Sequence, residues 1–309
     1  MSRTSIKARS TTKSRPAPAP RSRAKGADSP TAAVGRVGRL ALEYVRRGDS
    51  TVFARTSCQT PWHLFPPIYL DDSGSAYTLL LNPSGGLVGG DRLSVDLSVG
   101  SKAHVVISSP SANRVYRSLS DPSVQAIQAH VKQDGRLEWL PEQTIPFAGS
   151  RFRQSIDVTL EAGATLLLWD AMASGRIARE ERWAFASFEN DIRIRTASGA
   201  IVRERVALNP ADKPGGVGAA DDWDYLATLF VVGDAVDGAR WTALDATLAG
   251  ILEQYHGQVL GGVSQPAVPG LAVKLAAKSA PAMNAVFTSL WGAVRQALWS
   301  LPPLNLRKY

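Results

Sequence analysis

Short segments in which apolar and polar residues alternate recur along this chain, and they restrict its fold more than any other feature. Residues 93–99 carry Leu or Val at every odd position, and residues 127–131, 156–160 and 192–196 alternate in a similar way. A period of two residues is that of a strand with one buried face. Turns that contain glycine, such as 133–135, separate the segments, so the sequence predicts a mostly β sandwich, barrel or coiled β architecture.

A second class of segment is apolar on both faces. The runs 78–81, 104–107 and 165–169 are typical of strands that are buried on both sides. There is also one internal similarity, because Ser-Val-Asp-Leu-Ser at 94–98 resembles Ser-Ile-Asp-Val-Thr at 155–159. Each copy is followed by a turn and an apolar run, which favours stacked β layers.

Two helices are predicted in the C-terminal half. Residues 242–256 and 281–299 place apolar side chains at helical spacing, and Pro281 suits a first helical turn. The pair of prolines at 302–303 is expected to stop the second helix. Residues 271–275 are predicted to form a strand, and the glycine-rich stretch 215–218 a polar loop.

The net charge of +8 is concentrated at the N-terminus, because residues 1–30 contain eight basic residues and one acidic residue. This segment has few large apolar side chains, so we expect a disordered basic tail at 1–33 and a β-rich domain at 34–309. Its composition also resembles a transit peptide, although a solvated tail is the preferred interpretation. The nearly neutral remainder gives no reason to expect nucleic-acid binding.

Two further features bear on location. Cys58 is the only cysteine, which excludes an intrachain disulfide and a metal site built on thiolates, and it fits a reducing compartment such as the cytoplasm. No run of about 18 apolar residues is present, so we expect no membrane-spanning helix.

The segment 82–92 contains four glycines within six residues. A phosphate-binding loop would need a Gly-Lys-Ser/Thr ending or a helix after the glycines, and this segment offers neither. We therefore predict a tight turn between strands that Asp91 caps. In the segment 137–147, Glu138 and Glu142 are expected to face solvent or, alternatively, a polar cavity.

The segment 170–183 is densely charged and follows an apolar run, which suggests either a functional loop or a salt-bridged surface loop. Reaction centres are harder to find. The four histidines (His63, His104, His130 and His256) include no pair at helical spacing, and no Gly-x-Ser-x-Gly motif is present. We expect no enzyme, and a β-rich hydrolase with Ser, His and Asp stays as the alternative.

Several of these segments, in this order, resemble the UreD (UreH) family of urease accessory proteins. The matching motifs are the glycine segment, a basic-aromatic motif at 114–118, the Glu-Trp-Leu-Pro-Glu motif within 137–147, the Asp-Gly-Arg-Glu pattern within 170–181, and the helix around 290–295. The resemblance spans about residues 35–309. Arg114 and Glu180 depart from the residues that are common in the family at those positions.

The resemblance implies stacked, helically wound β-strand layers, similar to a β-helix, with two α-helices in the C-terminal half. It implies a non-catalytic scaffold for nickel insertion into apo-urease (UreABC), which bridges urease to a module of UreF and the GTPase UreG. A dimeric state within the UreD-UreF-UreG complex is expected. No cofactor is expected to be bound permanently, whereas Ni²⁺ is expected to pass through transiently.

A nickel passage needs ligands that release the ion, and oxygen ligands suit this better than thiolates. Carboxylates that line a passage would also attract a divalent cation. Since each lies in a motif shared with the family, we predict as transient nickel ligands Asp91, Glu142, Asp170 and Glu181. For contact with UreF we predict the second helix, with Trp291 and Trp299 exposed as anchors beside Arg295. The alternative is that both tryptophans fill the core.

Overall fold

Two β-sheets, between which the chain passes back and forth, make up most of the computed structural model, which describes residues 35–210 and 223–306. The strands of the first half are β1 Val37–Arg47, β2 Ser50–Cys58, β3 Ala76–Leu79, β4 Arg92–Val99, β5 His104–Ser108, β6 Asn113–Val115, β7 Ser123–Val131 and β8 Arg136–Leu140. Those of the second half are β9 Thr144–Pro146, β10 Arg151–Leu160, β11 Thr165–Ala173, β12 Ser187–Arg195, β13 Ile201–Leu208, β14 Tyr225–Gly233, β15 Val259–Ser264 and β16 Gly270–Ala277. The helices are α1 Gly238–Gln254 and α2 Ala280–Trp299, and a single 3-10 turn spans Ile177–Arg179.

The first sheet has the strand order β13-β12-β10-β7-β4-β1-β2, and β1, β4, β7, β10 and β12 run parallel. The second sheet has the order β15-β16-β14-β11-β8-β5-β3, and β3, β5, β8 and β11 run parallel. The chain enters the first sheet at β4, β7 and β10 and moves each time to the second sheet at β5, β8 and β11. The strands therefore stack as in a β-solenoid, which confirms the predicted class of mostly β, helically wound layers with two helices in the C-terminal half.

The internal similarity seen in the sequence is a stacking relation in the structure. Val95 pairs in register with Ile127, and Ile127 pairs with Ile156, so the segments 94–98 and 155–159 lie at the same level on either side of β7. All three side chains are buried between the sheets.

The second sheet is buried on both of its faces, and this explains the uninterrupted apolar runs. In β11, Leu166 and Leu168 face the core between the two sheets, whereas Leu167 and Trp169 face a second core beneath the helices. The helix α2 contributes Val286 and other apolar residues to that second core. Two separate apolar layers therefore lie on opposite sides of one sheet.

Both helices begin at capping side chains. Asp237 accepts a hydrogen bond from the Arg240 amide and starts α1 earlier than the apolar pattern predicts, and Ser279 caps α2 one residue before its first turn. The helix α2 ends before the two prolines, as expected. No helix among the described residues is long and apolar enough to cross a membrane. The predicted tail 1–33 and the predicted loop 215–218 lie outside the described residues.

Candidate functional site

A row of amide side chains crosses the interior face of the first sheet. Gln125 on β7 pairs in register with Gln154 on β10, and Gln154 pairs with Asn190 on β12. The neighbouring inward positions along these strands are mostly apolar and buried, for example Ile156 and Ile192. Because strand parity directs these three amides into the core, they form a polar strip within an otherwise apolar layer.

Asp170 lies across from this strip. It lies within β11, which continues to Ala173, so the strand extends beyond the point at which we predicted a loop. Gln154 Nε2 donates to Asp170 Oδ1 at 2.8 Å, and Asn190 Nδ2 donates to Asp170 Oδ2 at 2.8 Å. Gln154 Nε2 also lies 3.2 Å from Asn190 Oδ1, so three polar side chains form one network, in which the two amides are buried and Asp170 is partly buried.

Asp170 borders two cavities. The first has a volume of about 110 Å³ and is bordered by Glu142, Gln125, Gln154 and Asp170. The second has a volume of about 200 Å³ and is bordered by Asp170, Asn190, Glu204, Thr228 and Lys274. Asp170 is therefore the acidic residue that the two cavities share.

The electrostatics of Asp170 differ from those of an ordinary aspartate. The pKa of this carboxyl is raised to about 7, mainly by burial and in smaller part by the charge of Glu204, whereas the hydrogen bonds from Gln154 and Asn190 oppose the shift. The group can therefore be charged or neutral near pH 7. A carboxyl in this state can release a proton when a cation arrives.

Glu204 lies at the other side of the second cavity. Thr228 Oγ1 donates to Glu204 Oε1 at 2.9 Å, and Lys274 Nζ lies 2.9 Å from Glu204 Oε2. Its carboxylate and that of Asp170 offer hard oxygen ligands, which suit divalent cations that must be released again. The described residues contain no ready-made cluster of three or more His, Cys, Asp or Glu for a metal ion.

Of the four predicted nickel ligands, the structure brings Glu142 and Asp170 to one cavity and places the other two elsewhere. Asp91 is completely buried and accepts hydrogen bonds from Arg36 Nη2 at 2.7 Å and from the Val88 amide at 3.0 Å. Burial alone would raise the pKa of Asp91, but the hydrogen bonds from Arg36 and Val88 outweigh it and lower the pKa. Asp91 therefore caps the glycine turn, as predicted, and borders neither cavity.

Glu181 is also held in place locally. Its carboxylate is paired with the Arg176 guanidinium and accepts a hydrogen bond from the Ala148 amide at 2.8 Å. The hydrogen bond from Arg176 is the main reason that the pKa of Glu181 is lowered. These contacts fit the interpretation of 170–183 as a segment joined by salt bridges, and they leave the role of Glu181 in nickel transit a prediction.

The predicted partner residues have a different environment from the one expected. Trp291 is only 2% exposed and Arg295 is 0% exposed, so the expected exposure of Trp291 is wrong and its core alternative holds. The sequence could not show that α2 lies against the second sheet along this face. Trp299 is half-buried and lies with its ring 5.2 Å from that of His104, and its contact with a partner stays a prediction.

Arg295 and Trp291 both donate to the carboxylate of Glu138, which is completely buried. The expectation that Glu138 faces solvent is therefore wrong. His104 Nε2 lies 2.7 Å from Glu138 Oε1, and Arg295 also bonds Asp71 at 3.0 Å. This group of charges joins α2 to β5 and β8.

The hydrolase alternative requires Ser, His and Asp to meet in one pocket. Within the described residues, His104 is bonded to Glu138 and His130 to Glu161, and neither pair continues to a serine hydroxyl. No observation therefore favours that alternative.

The sequence analysis missed Gln125, Gln154, Asn190, Glu204 and Lys274. A signal for the amides does exist, because Gln154 is the one polar residue among the inward positions of β10, where Phe152 and Ile156 flank it. A polar residue at a strand position that the alternation assigns to the buried face indicates that the apolar core is interrupted there. Glu204 and Lys274 carry no such signal, because they become neighbours only through the folded sheets.

Comparison with known proteins adds independent findings. A family model described as "UreD urease accessory protein" matches residues 36–308. The chain is 31% identical to the urease accessory protein UreD of Deinococcus radiodurans over 88% of this chain and 95% of the relative. It is also 31% identical to UreD of Paracidovorax citrulli over 87% of this chain and 97% of the relative.

Proposed function

The chain belongs to the UreD family of urease accessory proteins, and from this premise we propose that it is a non-catalytic scaffold that delivers nickel to apo-urease. Nickel crosses its interior along Glu142, Asp170 and Glu204. One observation supports this most strongly: two cavities border the same acidic residue, Asp170.

The composition of the path suits transport rather than storage. Its acidic groups are Glu142, Asp170 and Glu204, and the polar groups around them include the neutral amides of Gln125, Gln154 and Asn190. Amide and carboxylate oxygens hold a divalent cation less firmly than thiolates do. A cation that enters one cavity can therefore exchange between Glu142, Asp170 and Glu204 without being trapped.

Asp170 binds the cation as it moves from one cavity to the other. Its position in β11 is fixed by the pairing of that strand with β14, and its oxygens are oriented by two amides. When a cation arrives, the carboxyl loses its proton and becomes a charged ligand. When the cation leaves, the group takes up a proton again, which avoids an unpaired charge in the interior.

The partners of this scaffold are UreF, UreG and apo-urease, and it bridges the UreF-UreG module to urease as part of a dimeric complex in the cytoplasm. Trp299 on α2 is the proposed aromatic anchor for UreF, because it alone of the three predicted anchor residues keeps an accessible surface. Pull-down of UreF by a Trp299→Ala variant, beside the wild type, tests this contact.

The passage is tested with Asp170→Asn, which keeps the shape of the side chain and removes its charge. We expect the nickel content of urease matured in cells that express the variant with all other accessory proteins to fall about tenfold, the effect of roughly 1.4 kcal/mol on a barrier. Complex formation with UreF, UreG and urease should not change. The matched control is Asp157→Asn on the outer face of the first sheet, where the aspartate is about half exposed. Normal nickel content with Asp170→Asn would refute the passage.

A further inference from the structure

The ion pair of Glu204 and Lys274 lies at the border of the second cavity, on two strands that belong to different sheets. Glu204 is on β13 at the edge of the first sheet, and Lys274 is on β16 of the second sheet. The two side chains meet at 2.9 Å across the gap between the sheets, and both border the cavity that contains Asp170.

The two partners differ in how much they are exposed. The Glu204 side chain is 10% exposed, whereas the Lys274 side chain is 66% exposed. Taking a carboxylate out of water is unfavourable unless a cation compensates it, so Glu204 depends on Lys274. Lys274 does not depend on Glu204 in the same way, because its long, flexible stem can turn its ammonium group into solvent.

We propose that Lys274 is a displaceable counter-ion, which balances Glu204 while the cavity is empty and gives way to a divalent cation held between Glu204 and Asp170. This inference rests on the proposed nickel passage, and it names the residue that regulates cation binding at the second cavity.

The bonding of Glu204 supports displacement of this particular partner. Oε1 keeps the hydrogen bond from Thr228, which orients the carboxylate. Oε2 has no hydrogen-bond partner of regular geometry within the described residues, so its compensation comes from the nearby Lys274 charge alone. A divalent cation at the same oxygen carries twice the charge of an ammonium group and attracts the carboxylate more strongly.

The consequence is a built-in limit on affinity. Each cation that binds at Glu204 must first separate the carboxylate from Lys274, and each cation that leaves is replaced by Lys274. The lysine therefore weakens binding and speeds release, which a delivery protein requires.

The test is the affinity of the purified full chain for Ni²⁺, measured by isothermal titration calorimetry. Lys274→Met removes the competing charge and keeps the apolar stem, so Ni²⁺ should bind about tenfold more tightly than to the wild type, equivalent to about 1.4 kcal/mol. Lys274→Arg keeps the charge and should bind Ni²⁺ with an affinity close to that of the wild type. The matched control is Lys278→Met, since Lys278 lies over the Trp223 ring rather than at the cavity and should have no effect.

A double variant tests whether the change in Ni²⁺ affinity arises at Glu204. When Glu204→Gln is present, Lys274→Met should no longer raise the affinity, because the carboxylate for which the lysine and the nickel compete is absent. Unchanged affinity in Lys274→Met, or an equal rise in Lys274→Arg, would overturn the inference. Neither result would affect the proposed function, which is tested separately by the nickel content of urease matured with Asp170→Asn.

Discussion

Glu138 and Asp170 lie on opposite faces of the same sheet, the first completely buried and the second partly buried, and their surroundings differ. Glu138 faces the core beneath the helices and is met by Arg295, Trp291 and His104. Asp170 faces the core between the sheets and is met by two neutral amides, with a cavity on each side.

Under the proposed function, this difference separates a carboxylate that stabilises the fold from one that binds a cation in transit. A fixed guanidinium compensates Glu138 permanently, so its contribution is to hold α2 against the second sheet. Asp170 has dipoles instead of a fixed cation, and burial raises its pKa to about 7, so its compensation must come from a proton or from a mobile cation. The predictions below test this distinction, beginning with the largest effect.

The largest effect is expected for Arg295→Met, which leaves Glu138 buried without its cation. Breaking a buried ion pair from one side should lower the free energy of unfolding by about 3–5 kcal/mol. Urea denaturation followed by circular dichroism measures it. The control is Arg203→Met, which removes an exposed partner of Asp191 and should cost less than about 1 kcal/mol. Equal effects of the two variants would contradict a structural role for the Glu138 cluster.

Asp91→Ala is expected to have the next largest effect, because this carboxylate is completely buried and paired with Arg36, although the Arg36 side chain is 39% exposed whereas that of Arg295 is fully buried. We expect a loss of about 2–3 kcal/mol of stability, the size of a lost charged hydrogen bond at a buried site. In cells, nickel content per molecule of folded variant should stay normal. A specific loss of nickel delivery at full stability would instead place Asp91 in the passage.

The contribution of Asp170 to stability should depend on pH. Its folded-state pKa of about 7 lies above its ordinary value of 3.8, so the folded chain binds more protons than the unfolded chain between these values. The stability of the wild type should therefore fall as the pH rises through this window, relative to Asp170→Asn. We expect the difference in unfolding free energy to shift by about 1–3 kcal/mol in favour of the variant between pH 5 and pH 8. Parallel pH profiles for the two proteins would show that the pKa of Asp170 is not raised in the folded chain.

The smallest effect is expected for Glu204→Gln. This change removes a nearby negative charge and should lower the pKa of Asp170 by less than about one pH unit, because burial is the larger cause of the shift. Carbon-13 NMR of the aspartate carboxyl groups measures the titration directly. A rise in the pKa would mean that Glu204 does not act on Asp170 as a like charge.

The sequence carries most of the information on the fold and part of that on the site. The alternation at 93–99 and 156–160 marks inward and outward faces directly, and the repeated segments lie at equivalent levels because the layers stack. The face that receives Glu138 could not be inferred, since the helix that covers it lies about 150 residues further along the chain. The same holds for Glu204 and Asp170, which share a cavity only because an edge strand lies over β11 and β14.

The central claim is that a divalent cation occupies the interior at Asp170, and anomalous diffraction at the nickel absorption edge tests it most directly. Crystals of the full chain soaked in Ni²⁺ should show an anomalous peak within the two cavities, bonded to a carboxylate oxygen of Asp170 or Glu204. Nickel found only on the outer surface, with both cavities free of anomalous density at saturating Ni²⁺, would contradict the claim.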